Sequence, residues 1–288
     1  MPVAFDDVGE CVESALRRVG RKVVLAVPLG LGKPVPVVDE FWRRALRDPQ
    51  LDLTIVTALT LRRPGASSEL EQRYAGPLVE RLFGDYREPE YVAAMRAGNV
   101  PANVRVIEFY LEPGAALDVA HAQQHYLSAN YTHVARELLA RGVNVVAQLV
   151  ARRGSGAEAR YSLGSNPDVT LDLLPALAAA RRAGREIVAI ASVHAQMPYM
   201  YGSAEVPADS FDLVLDDPRD DSVLFGPPNA PLGDADHAIG LHVSALVRDG
   251  GTLQIGIGEL GDALCYALLL RHQQPAAWTQ ALRDVGSE

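Results

Sequence analysis

Lys22-Val23-Val24-Leu25-Ala26-Val27-Pro28, followed by Gly30-Leu31-Gly32-Lys33-Pro34, sets the fold class of this 288-residue chain. The first run is apolar and β-branched with no polar alternation, which reads as a strand buried on both faces. The glycine turn ends it. Residues 35–47 then carry an amphipathic helical pattern, and Leu51–Ala58 (L-D-L-T-I-V-T-A) is the next strand. Strand, turn, helix and strand in that order signal a parallel α/β layer.

The same grammar extends outward. Residues 8–19 read as a helix with Val12, Ala15 and Leu16 on one face. Further strands are expected at Val104–Phe109, Val143–Val150 and Glu186–Val193, with helices over 118–141 and 171–182. Residues 60–103 read as a helical excursion over the surface, and Arg152–Arg160 as a flexible turn. The first α/β domain is therefore placed at 1–216. Residues 217–234 are rich in Asp, Pro and Gly and read as a linker. A new unit, 235–288, gives a helix at Asp236–Arg248, a strand at Thr252–Ile257, a helix at Glu259–Arg271 and a last helix at 275–284. One strand cannot satisfy its own backbone, so it either joins the first sheet or belongs to an incomplete domain.

Composition narrows the function classes. The chain is 48% hydrophobic and 22% charged, ordinary for a globular protein of two domains. Its net charge of -9 disfavours nucleic acid as a partner. Nearly all positive charge is Arg; Lys22 and Lys33 are the only lysines. Two distant cysteines, Cys11 and Cys265, suggest no disulfide framework or zinc knuckle. The acidic N-terminus is unlike a signal peptide, and no apolar run has membrane-spanning length. A cytoplasmic location is the default expectation.

Several motifs have a functional and a bland reading. Gly256-Ile257-Gly258-Glu259-Leu260-Gly261 fits the dinucleotide pattern and offers backbone N–H groups at a helix start. The pattern also wants an acid about 20 residues on, and Ala276–Trp278 stands there. A tight turn is the plainer reading. Gly30–Pro34 fails as a phosphate loop, because Val27 replaces its first glycine and Pro34 its Ser or Thr. It reads either as a ligand-facing loop or as a simple strand-to-helix turn. His121 and His125 share a helix face, but Ala122 stands where a zincin has Glu, so no metal is expected. Tyr126, Asn130, Tyr131, Thr132 and His133 form either an internal hydrogen-bond network or a pocket lining. Asp216, Asp217, Asp220 and Asp221 read as a solvated loop.

Three stretches carry a family resemblance. They are Tyr161-Ser162-Leu163-Gly164 with Asp168 and the strand Ile187–Val193; Gln196-Met197-Pro198 with Gly202 and Phe211-Asp212; and Ala238-Ile239-Gly240, Leu246–Gly258 (L-V-R-D-G-G-T-L-Q-I-G-I-G) and Gly261-Asp262-Ala263. Together these resemble the acetyl-CoA hydrolase/transferase family, which includes 4-hydroxybutyrate and succinate CoA-transferases. Gln123–His133 is similar to the corresponding region of its longer members. The resemblance runs from about residue 20 to about 272.

The resemblance implies two similar α/β domains of the CoA-transferase (NagB/RpiA-like) type and a ping-pong exchange between an acyl-CoA and a small carboxylic acid, or water. Coenzyme A enters as a thioester substrate, with no permanently bound cofactor. A glutamate nucleophile splits the transfer into steps, and glycine-loop N–H groups stabilise oxyanions. The family's glutamate lies in a Ser/Thr-Glu-Met-like stretch, which is not found here, so no catalytic residue is assigned and the chain alone is expected to be inactive. Glu259 does not align with that nucleophile. The expected substrate-binding residues are Gly30, Gly32, Gly256, Gly258 and Gly261, with both glycine turns facing one cleft. The expected assembly is either a homodimer or a pairing with a separate C-terminal half. The alternative function is a non-catalytic module that binds a CoA-like ligand or partners a split subunit.

Overall fold

A computed structural model of the chain describes residues 2–66, 68–220, 222–226 and 230–286. It divides into two compact units, Met1–Phe225 and Gly226–Glu288. Asp221 of the acidic loop and part of the 217–234 stretch lie outside the described residues.

The first unit is an α/β layer. Its strands are β1 (Val3–Phe5), β2 (Lys22–Ala26), β3 (Asp52–Thr57), β4 (Val104–Glu108), β5 (Val145–Arg153), β6 (Arg160–Ser162), β7 (Val188–Val193), β8 (Glu205–Pro207) and β9 (Leu213–Leu215). The main sheet has the order β1-β9-β7-β5-β2-β3-β4, and all its pairings are parallel. The deciding run behaves as read. Val23 and Leu25 of β2 enter one core cluster, and Val24 and Ala26 enter another on the opposite face.

The helices α1 (Val8–Val19), α2 (Val35–Arg47) and α4 (Tyr91–Arg96) cover the first face. Val12, Val37, Phe41, Trp42 and Tyr91 are their main buried contributions. The helices α6 (Val134–Ala140) and α7 (Asp168–Arg182) cover the other with Leu138, Leu173 and Leu177. Covering both faces explains the unbroken apolar strands. Helix α3 (Glu69–Phe83) buries no residue, and Leu70, Tyr74 and Leu78 are exposed. This matches the surface excursion. The helix or helix pair expected over 118–141 is a pair of short helices, α5 (Ala120–Gln124) and α6.

Two strand features escaped the sequence reading. The three-residue β1 and β9 extend one edge of the sheet, too short to give a periodic signal. The presumed turn at 152–160 joins β5 to β6, which pairs antiparallel with β5 and β8. Gln148, fully buried in β5, fixes this region: Nε2 donates to the carbonyls of Leu163 and Asn166 at 2.9 and 3.0 Å, and Oε1 accepts from Thr170.

The second unit contains α8 (Asp234–Leu246), α9 (Glu259–Gln273) and α10 (Pro275–Asp284). Gly240 lets α8 approach α9 closely, since a Cβ there would lie 2.6 Å from the Ala263 carbonyl oxygen. Arg271 donates to the Ser244 and Val247 carbonyls, and Trp278 donates to Ser244 Oγ at 2.9 Å. The strand expected at Thr252–Ile257 is absent; these residues carry no regular structure. Among the described residues they have no strand partner, so no sheet satisfies their backbone groups. Ile257 is 95% exposed and Leu246 80%. No described helix is long and apolar enough to cross a membrane.

Candidate functional site

Parallel α/β sheets place their loops and helix starts at the C-terminal ends of the strands, where ligands bind. A cleft of about 560 Å³ opens at that end of the first unit. The turn after β2 supplies Gly30, Leu31 and Lys33 to it, and α2 supplies Asp39 and Arg43. The segment before α4 supplies Tyr86, Arg87 and Glu90, and the stretch after β9 supplies Arg219, Asp220 and Ser222.

The glycine turn is a single 3-10 turn, Gly30–Gly32, leading directly into α2. Gly30 has φ +54°, where a side chain is disfavoured. A Cβ on Gly32 would lie 2.5 Å from Asn166 Oδ1, so the turn is pressed against the loop after β6. Lys33 is 3% exposed, and its Nζ donates to the carbonyls of Ala58 at 2.5 Å and Leu59 at 3.3 Å. Burial pulls its pKa down to about 7, while the Glu108 carboxylate works in the opposite direction. Glu108 itself is held by the Thr60 N–H at 3.1 Å and the Thr60 hydroxyl at 2.5 Å, and that hydroxyl also bonds Tyr91. Leu59 is the one non-glycine residue with positive φ among the described residues, at 40°.

Asp39 is 7% exposed and accepts from the Glu90 N–H at 2.8 Å. Burial pushes its carboxyl up to about 7; the Glu90 N–H opposes this, the Glu90 charge adds to it, and Arg43 and Arg87 oppose it. Arg43 is committed to Glu90. Among the described residues, Arg87 is exposed and has no ion pair.

On the far wall Arg219 bridges Asp217 at 2.7 Å and Asp7 at 3.0 Å. His194, 2% exposed after β7, accepts the Gln196 N–H on Nδ1 at 3.2 Å. A neutral ring then carries its proton on Nε2, which faces Ser222 Oγ at 3.2 Å. Ser222 in turn donates to Asp220 Oδ1 at 3.0 Å. Protons therefore point away from His194, and it cannot serve as the base that activates Ser222. Asp220 Oδ2 is buried without a hydrogen-bond partner among the described residues. Phe225 closes this stretch against Phe83 at 4.9 Å and Tyr86 at 5.5 Å.

The remaining sequence candidates fall elsewhere. Gly256, Gly258 and Gly261 belong to the second unit. Gly258 caps α9 with φ 132°, and a Cβ on Gly261 would sit 2.2 Å from the Gly256 carbonyl oxygen. This is a tight turn without the preceding strand that a dinucleotide site needs. The His121 and His125 rings stack at 4.3 Å, and His121 Nε2 accepts the Val106 N–H at 3.1 Å. Burial, then the neighbouring His125, lower the His121 pKa. Among the described residues, no group of three or more His, Cys, Asp or Glu could hold a metal.

Lys33, Asp39 and Arg87 were missed as site residues. A signal existed for one: Asp39 sits beside Val37, Val38, Phe41 and Trp42, a lone acid on the buried arc of α2.

No protein-family model matches the chain. A stretch of 75 residues is 35% identical to 4-hydroxybutyrate coenzyme A transferase of Clostridium kluyveri, covering 26% of this chain and 17% of that protein. Over 80 residues the chain is 31% identical to succinyl-CoA:cyclohexane-1-carboxylate CoA transferase of Geobacter metallireducens, covering 28% of this chain and 18% of that protein. RipA from Yersinia pestis superposes with a TM-score of 0.57 at 17% identity, over 90% of this chain and 52% of that one. A 4-hydroxybutyrate CoA-transferase from Porphyromonas gingivalis gives 0.52 at 20% identity, over 92% and 51%. The chain thus spans about half the length of these solved structures. Over short stretches its sequence is thus similar to CoA-transferases, and its fold is similar to that of these two solved structures.

Proposed function

We propose that this chain carries the thioester-binding part of an acyl-CoA:carboxylate CoA-transferase or acyl-CoA hydrolase. The observation that supports the reading most is the cleft at the C-terminal ends of the parallel strands, walled by the Gly30–Lys33 turn, in a chain related to CoA-transferases. Arg87, which has no ion pair among the described residues, lines this cleft and suits an anionic group. In the first unit Gly30 and Gly32 are proposed ligand contacts, through atoms other than their N–H groups, which donate to the Leu59 and Leu29 carbonyls; Gly256, Gly258 and Gly261 are proposed contacts of the second unit taken by itself. The reaction is a ping-pong exchange through a glutamyl-CoA thioester, with an acyl-CoA and a small carboxylic acid as substrates and no resident cofactor. The family's nucleophilic glutamate maps onto none of these residues. In this reading the covalent step belongs to a carboxylate supplied by another polypeptide segment.

A second reading, a split-subunit partner module, is favoured by the apolar surface of the second unit. Leu260, Leu269 and Tyr266 are each more than half exposed there, beside the almost fully exposed Ile257. The test is free-thiol release from acetyl-CoA and succinyl-CoA, with and without acetate, together with calorimetric binding of acetyl-CoA. Binding without turnover is the expected result. No binding would overturn the reading. Robust turnover by these 288 residues would overturn the assignment of the nucleophile elsewhere, and Glu259→Gln would then be the variant to make.

A further inference from the structure

A buried carboxyl needs a reason to be there, because leaving it desolvated with few partners is costly. Asp39 is 7% exposed, on a helix arc that otherwise buries Val38, Phe41 and Trp42. It receives one hydrogen bond, from the Glu90 N–H. Among the described residues no cation pairs with it, since Arg43 is taken by Glu90. Yet it lines the cleft, and the unpaired Arg87 lines the same cleft. A lone acid of this kind, on the same cleft as a guanidinium with no ion pair among the described residues, suits a ligand that is itself an acid. A protonated carboxyl donates a short, charge-assisted hydrogen bond to a carboxylate, and the guanidinium supplies the balancing charge.

We propose that Asp39, carrying its proton, and Arg87 together hold the carboxylate of a small organic acid in the cleft of the first unit. This rests on the thioester-binding reading and gives the acceptor acid its subsite. Ionised Asp39 repels that carboxylate, so binding weakens as the proton is lost. Burial, which lifts the Asp39 carboxyl to about 7, puts that loss in the neutral range.

The surrounding charges do not substitute for it. On its own helix Glu40 is paired with Arg44, and Arg43 with Glu90. The facing segment presents Tyr86, Arg87 and Glu88, with Tyr91 behind them, and Glu88 is held by the Arg63 N–H. Across the cleft Asp7 and Asp217 are paired with Arg219, and Asp220 takes Ser222. Lys33, at the start of the same segment, also titrates near 7. Asp39→Asn separates the two, because it keeps an acceptor for Glu90 and a donor for the ligand but cannot ionise.

The experiment titrates labelled acetate into the chain by NMR line broadening at pH 6 and pH 8, with acetyl-CoA binding measured on the same samples. Wild type should bind acetate about tenfold more weakly at pH 8, as a group of pKa near 7 passes from mostly protonated to mostly ionised. Asp39→Asn should lose most of that difference while still binding at pH 6. Arg87→Gln should weaken binding at both pH values. An Asp39→Asn variant with the wild-type pH slope, or a wild type with no slope, overturns the proposal. Acetyl-CoA binding without acetate binding at pH 6 overturns it while sparing the thioester reading, and loss of both overturns both. Should Asp39→Asn not fold, the wild-type slope and the Arg87→Gln loss decide.

Discussion

Asp39→Asn should stabilise the first unit at alkaline pH and leave it nearly unchanged in acid. Folding raises the Asp39 pKa from 3.8 to about 7, chiefly through burial. An acid whose pKa is raised by folding binds its proton more tightly in the folded state. Its contribution is therefore fully present below pH about 4, is lost as pH climbs to about 7, and is flat beyond. Roughly three pH units at about 1.4 kcal/mol each set an upper bound of about 4 kcal/mol. Local relaxation and water entry reduce the measured value, and about 2 kcal/mol is the expected order. Asparagine accepts the Glu90 N–H as aspartate does and relieves the repulsion from the Glu90 carboxylate. Urea unfolding at pH 4.5 and pH 8 measures the difference, with Trp42 of the same helix, 3% exposed, as fluorescent reporter. A stability gap between variant and wild type that is the same at both pH values would refute the reasoning, as would a variant less stable than wild type at pH 8.

Gly164 has φ +60°, and a Cβ there would lie 2.2 Å from Met197 Sδ. Gly164→Ala should cost about 2 to 4 kcal/mol, and adding Met197→Ala should recover only the steric part; full recovery in thermal melts would show that the backbone conformation costs nothing. Cys265 is exposed, whereas Cys11 is buried with its thiol pushed up to about 12 by burial. A disulfide reagent should therefore titrate one thiol in the native chain and two after denaturation; rapid modification of both in the native state would contradict the packing of α1.

The sequence by itself determined the class of the first unit and most of its elements. Lys22–Ala26, Asp52–Thr57 and Val188–Val193 announce themselves because strands covered on both faces are mainly apolar and β-branched. Helix α2 matches its pattern because five of its residues, Val37, Val38, Phe41, Trp42 and Ala45, face one core. The similarity to CoA-transferases was also legible, from motifs such as Tyr161–Gly164 and Gln196–Pro198, which are tied together by Ser162 bonding Met200 and by Gly164 meeting Met197. Thr252–Ile257 read as a strand because its composition suits one, but pairing is a tertiary property, and no strand pairs with it among the described residues. The cleft was equally invisible. Lys33, Asp39 and Arg87 come from a turn, a helix and a distant connection, and only folding puts them on one cavity. Nothing in a residue's type tells whether its charge is desolvated. Burial chiefly decides that, and it is the largest influence bringing a lysine and an aspartate of one short segment toward the same neutral pKa.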